Sequence, residues 1–140
     1  MKRIILFSVL LLAASFTVLG QAKPYNVVFD LTSGDTAVHQ TVIRWLTEII
    51  KTHPAAKLEV VLYGKALPMV TTGKSVVAED VKKLAVNKNI SFTVCEIAMN
   101  RHLIDKSQLL PGVVIVPDGI YELISKQADG FGYIKVQIGN

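Results

Sequence analysis

From Tyr25 onward, two kinds of apolar pattern alternate with only a few residues between them, and this rhythm constrains the fold more than any other feature. "YNVVFDL" (Tyr25 to Leu31) is rich in β-branched and aromatic residues and stops at the turn cluster "TSGD", so it reads as a strand. Val38, Val42, Trp45, Leu46, Ile49 and Ile50 then recur at helical spacing until "THP" ends the segment at Pro54. "KLEVVLYG" (Lys57 to Gly64) is a second strand, followed by "KALPMVTTGKS", a short helix or irregular segment broken by Pro68 and Gly73. "VAEDVKKLAVNKN" (Val77 to Asn89) turns Val77, Val81, Leu84 and Ala85 to one side and leaves Lys82, Lys83 and Lys88 as a solvated face. "ISFTV" is a third strand that runs straight into a helical "CEIAMNRHLI".

"PGVVIVP" (Pro111 to Pro117) is a continuous apolar run, expected as a buried central strand. "DGIYELISKQADG" carries Ile120, Leu123, Ile124 and Gln127 in one stripe and is closed by Gly130, and "GYIKVQI" is the last strand. Strand and helix in alternation predict a single α/β domain, doubly wound, with a mostly parallel sheet and helices on both faces. Ligands of such sheets gather where strands hand over to helices at their carboxyl ends. The loops there are "TSGDT", the Val94–Cys95 junction and "VPDGI".

Ahead of this domain, "MKR", the apolar run Ile4 to Leu19 and the small or polar "GQAKP" have the three parts of a secretory leader. The run is shorter than the ~20 residues a spanning helix needs. Residues 1–22 are therefore expected to be a signal peptide, cut after Gly20 or Ala22, and residues 23–140 a mature domain that is periplasmic or secreted and off the membrane. Without Lys2 and Arg3 the excess of four cations falls to two, too few to argue for nucleic acid or an anionic lipid surface. Cys95 is the only cysteine, so no disulfide staples the domain and its core must hold it together.

Motifs exclude more than they establish. Neither GxGxxG nor GxxxxGK[ST] occurs, so Gly34 is a turn glycine, and no GxSxG or HExxH supports a hydrolase. His53 ends a helix, while His39, close to Asp35, could face the loop edge that holds Cys95 but reads more readily as structural. Cys95, Met99 and His102 are a soft donor set suited to Cu(I). The seven residues from Cys95 to His102 span about 10.5 Å of helix, too far for one ion, and Met99 reads as core. Cys95 itself stands at a strand-to-helix junction, where free N–H groups favour thiolate. A buried, inert thiol is the competing reading.

"FTVCE", "VVLYGKAL" and above all "LLPGVVIVPDGIYELISKQADGFGYIKV" are similar to the small exported members of the DsrE/DsrF-like sulfur-relay family, over about Tyr25 to Lys135. After Cys95 and Glu96 the family often has Asn and then Thr or Ala; here Ile97 and Ala98 follow, and the polar neighbour is missing at Ile97. The resemblance implies an α/β homo-oligomer, trimer or hexamer, in which Cys95 carries sulfur as a persulfide between a donor and an acceptor protein without metal or organic cofactor. Glu96, Ser33, Gly34, His39, Pro117 and Gly119 are the expected lining of its pocket. The alternative is a non-catalytic small-ligand-binding or assembly module with a structural Cys95, and Cu(I) binding ranks third.

Overall fold

The computed structural model describes residues 24–137; the expected leader, residues 1–22, lies outside them. Five strands form one fully parallel sheet in the order β4-β3-β2-β1-β5. They are β1 Asn26–Leu31, β2 Lys57–Leu62, β3 Ile90–Cys95, β4 Val114–Val116 and β5 Gly132–Lys135. The helices are α1 Thr36–Thr52, α2 Ala78–Ala85, α3 Glu96–Arg101 and α4 Gly119–Ala128, with 3-10 turns at Leu67–Val70 and Lys106–Gln108. No helix among the described residues is long and apolar enough to cross a membrane.

Strand order decides which face each helix covers. Crossovers between parallel strands are right-handed, so the steps β1 to β2 to β3 to β4, all in one direction, stack their connections on one face. The step from β4 back to β5 runs the other way and puts α4 alone on the second face. The packing agrees. Phe29, Leu31, Val60, Leu62, Phe92 and Val94 form the large core with Val38, Val42 and Leu46 of α1, whereas Val28 and Val61 pack with Leu123 of α4.

Local chemistry sets the helix ends. Asp35 Oδ1 accepts from Ala37 N at 2.8 Å and starts α1, and Asp118 does the same for α4. Helix α4 stops in a Schellman turn: Phe131 N donates to Lys126 O and Gly130 N to Gln127 O, with Gly130 at φ 87°. Helix α2 is shorter than its pattern suggested, because the Asn87 side chain accepts from Asn89 N and turns the chain early.

Two expectations need correction. The run "PGVVIVP" is not a buried central strand but a three-residue edge strand, with Val113 and Ile115 against the core and Val114 48% exposed on the second face. The α4 stripe is also split: Leu123 is buried, while Ile120 and Ile124 are 58% and 57% exposed. In both places one helix is too narrow to cover the face it lies on.

That helix is clasped by charge. Glu59 on β2 is 5% exposed, and its Oε2 lies 2.9 Å from Lys126 Nζ, which also reaches Glu122 at 3.4 Å. Burial raises the Glu59 pKa more than Lys126 and Thr93 lower it. Burial pulls the Lys126 pKa down, yet the two carboxylates outweigh it and leave that pKa raised. The pair thus favours the ammonium and penalises the carboxylate. A raised Glu59 pKa means its contribution to stability is greatest below the ordinary carboxylate value and declines as pH rises through the folded value; the Lys126 contribution is lost only as pH rises through its own folded value. Lys126→Met should cost about 2–3 kcal/mol at neutral pH by leaving Glu59 buried and unpaired. In urea melts the deficit should shrink on acidification, and a pH-independent deficit would contradict the clasp.

Candidate functional site

The carboxyl ends of β1, β2, β3 and β4 surround a cavity of about 390 Å³. Cys95, the last residue of β3, lies 6% exposed at its inner wall. Thr32 follows β1, Tyr63 and Gly64 follow β2, Asp118 and Ile120 open α4, and α3 contributes Ile97, Ala98, Arg101 and His102. Strand parity explains the thiol's direction. Ser91, Thr93 and Cys95 alternate with the core residues Phe92 and Val94, so parity points Cys95 toward α4, whose Gly119 lies against it, while at the strand's end it also joins the large core. No loop separates β3 from α3, and Cys95 is the residue immediately before the helix, in extended backbone.

Helix α4 approaches the thiol closely because its first residue has no side chain. A Cβ on Gly119 would lie 2.9 Å from Cys95 Cβ, 3.3 Å from Val61 Cγ1 and 3.6 Å from Cys95 Sγ. Asp118 beside it is committed to the helix start, its Oδ1 accepting from Ile120 N at 2.8 Å and from Tyr121 N at 3.3 Å.

Next to the cavity lies a polar cluster that the sequence pattern did not single out. Asp30, 4% exposed, accepts from Tyr133 Oη at 2.5 Å and from Lys135 Nζ at 2.9 Å. The same ammonium donates to Thr32 Oγ1 at 2.9 Å and sits 5.6 Å from the centre of the Tyr63 ring. The hydrogen bond to Asp30, with burial behind it, pushes the Tyr133 pKa up to about 12. Burial first, and then the Asp30 charge, takes Tyr63 up to about 12. Both phenols are therefore donors at neutral pH. Asp30 and Lys135 are register partners on β1 and β5. The available signal was a carboxylate inside the apolar "VVFDL" and a lysine in "YIKV".

Of the expected pocket residues, Gly119 alone is brought against Cys95. Glu96 and Pro117 are exposed and outside the cavity wall. His39, on the buried side of α1 and so on the other face of the sheet, is 1% exposed, with Nε2 2.8 Å from Ser33 O. A carbonyl only accepts, so that nitrogen carries the ring hydrogen. Ser33 lines a separate cleft of about 350 Å³. Gly34 packs against the next loop, where a Cβ would lie 2.9 Å from Lys65 O. His102 shares the Cys95 cavity, but Met99 is 4% exposed in the core and does not line it. Among the described residues no three His, Cys, Asp or Glu side chains gather as a metal site would require.

A parallel α/β domain with a thiol at a strand's carboxyl end, opening on a cavity, defines the class. The chain belongs to the DsrE/DsrF-like family, whose sequence model matches residues 26–136. No curated protein matches it. Its fold is similar to that of MTH1491 from Methanobacterium thermoautotrophicum, a protein of unknown function, at 24% identity and TM-score 0.74, over 79% of this chain and 98% of that one. It is also similar to the ychN protein from E. coli, at 13% identity and TM-score 0.65 over 81% and 99% of the two chains. BT1422 from Bacteroides thetaiotaomicron, of unknown function, is similar at 12% identity and TM-score 0.64 over 80% and 95%. At these identities the likeness is one of fold.

Gly119→Ala should destabilise the domain by about 1–3 kcal/mol, since the new methyl meets two side chains fixed on the sheet. Denaturant midpoints measure this, and a variant as stable as the parent would contradict the close approach.

Proposed function

We propose that this DsrE-like chain is an exported sulfur-handling protein in which Cys95 carries sulfane sulfur as a persulfide or senses it. The observation that supports this most is the placement of the sole thiol, at the carboxyl end of an interior strand and on the wall of a cavity of about 390 Å³. Pockets that take small ligands begin near this size. Burial shields a persulfide from stray thiols, and the cavity gives a small sulfur donor a way in.

The step needs no metal or organic cofactor. The Cys95 thiolate attacks the sulfane sulfur of a hydrodisulfide ion, a Cys95–sulfur bond forms, the donor's sulfur–sulfur bond breaks, and hydrosulfide leaves with the electron pair. Charge balances, and no outside oxidant is used. With no second cysteine to resolve it, the persulfide must be passed to an acceptor protein or small nucleophile.

Assembly as a homotrimer or hexamer is part of the same reading. Ile120, Tyr121 and Ile124 of α4 and Val114 of the edge strand are exposed on the second face of the sheet. Contiguous exposed apolar surface commonly marks an interaction site. The same surface, with Cys95 only 6% exposed, favours the second reading, an assembly or small-ligand-binding module whose thiol is structural.

Native mass spectrometry on protein recovered from an exporting host, with and without inorganic polysulfide, tests the proposal. The expected result is a trimer or hexamer of subunits cleaved after Gly20 or Ala22, each gaining one sulfur atom that a reductant removes and that Cys95→Ser lacks. An unchanged mass would overturn sulfur carriage and leave the second reading.

A further inference from the structure

We propose that Tyr63 is a positioning residue whose phenolic O–H donates a hydrogen bond to the outer sulfur of a persulfide on Cys95, with Asp30 and Lys135 holding its ring in place. This rests on the persulfide reading above. Tyr63 lines the same cavity as Cys95 from the neighbouring strand end. Lys135 lies over its ring, 5.6 Å from the centre, and Lys135 is itself fixed by Asp30 and Thr32 at 2.9 Å each.

Asp30 is the protein group that competes for the phenol. The Asp30 oxygens are taken by Tyr133 and Lys135. Among the described residues Tyr63 Oη makes no hydrogen bond of good geometry; after burial, the Asp30 carboxylate is near enough to raise its pKa by charge and by a loose hydrogen bond, and the Cys95 sulfur near enough to raise it by charge. Tyr63 is half-buried, and it lines the cavity. A donor with no well-formed protein partner, beside a ligand space, is available to an anionic ligand atom. A persulfide's outer sulfur projects about 2 Å beyond Sγ, which takes the charge off the wall and into that space.

Other charges face the same region. They are Arg101 and His102 on α3, Asp118 at the start of α4, Asp30 on β1, and Tyr133 and Lys135 on β5. All are kept in Tyr63→Phe, so a comparison of variants isolates the hydroxyl.

The experiment equilibrates wild type, Tyr63→Phe and Tyr133→Phe with a fixed ratio of inorganic hydrodisulfide to hydrosulfide between pH 5 and 9 and reads the loaded fraction by intact mass. Loss of a charge-assisted hydrogen bond should lower the loading constant of Tyr63→Phe about tenfold. The acidic limb of its loading profile should move up by about one pH unit. Tyr133→Phe, which loosens the Asp30 cluster but keeps the Tyr63 hydroxyl and does not line the cavity, should move the profile by less than Tyr63→Phe. A Tyr63→Phe profile superposable on wild type, or a shift shared equally by Tyr133→Phe, would overturn the assignment while leaving sulfur carriage intact. Wild type that gains no sulfur at any pH would overturn both. Unchanged melting temperatures would confirm that a shift reflects the hydroxyl and not the fold, and a Tyr63→Phe protein that loads normally once refolded would count against it.

Discussion

Among the described residues a single helix is all the cover the second face of the sheet has, and most of what is distinctive in this molecule follows from that. Right-handed crossovers commit α1, α2 and α3 to one side, leaving α4 to lie alone across β1, β2 and β3. A single helix, roughly 10 Å wide, cannot seal a five-stranded sheet. The strand residues buried on the first face are accordingly apolar. The second carries Asp30, Glu59, Ser91 and Thr93 among its inward positions, with satisfied polar contacts in place of hydrocarbon.

The two ends of α4 are fixed by different means. Lys126 ties the carboxyl-terminal half to the buried Glu59, while Gly119 lets the first turn press against Cys95 and Val61. Position at the thiol is therefore set by close packing, and the charged pair contributes more to placement than to net stability. Where α4 ends its cover, the Asp30, Tyr133 and Lys135 cluster closes the space between β1 and β5 and braces Thr32 and Tyr63 at the cavity wall. Fold and site share these contacts.

The strand and helix rhythm was legible because period-two and period-3.6 patterns are local. The α1 residues Val38, Val42 and Leu46 are buried as their spacing implied, and Cys95 falls at the strand-to-helix junction as its flanking residues implied. Strand order is not local. An apolar run such as "VVIV" looks the same at the centre of a sheet as at an edge, and only topology puts β4 outermost. The site was legible to the same extent. Cys95 and Gly119 could be found from loops at strand ends, but Asp30 and Lys135 meet only because β5 returns beside β1, more than a hundred residues later in the chain. His39 is structural, as its isolation in the sequence favoured, and it lies on the face away from the cavity because helical spacing does not say which side of a sheet a helix covers.

The claim at the centre of this account is that Cys95 is reachable through its cavity in the folded protein. Its rate of alkylation by a small neutral reagent, followed across denaturant concentrations well below the unfolding midpoint, tests this most directly. The account predicts a measurable rate that is flat with denaturant, because access does not depend on opening the domain. A rate that vanishes in native buffer and rises only with the unfolded fraction would contradict it and make Cys95 a core residue.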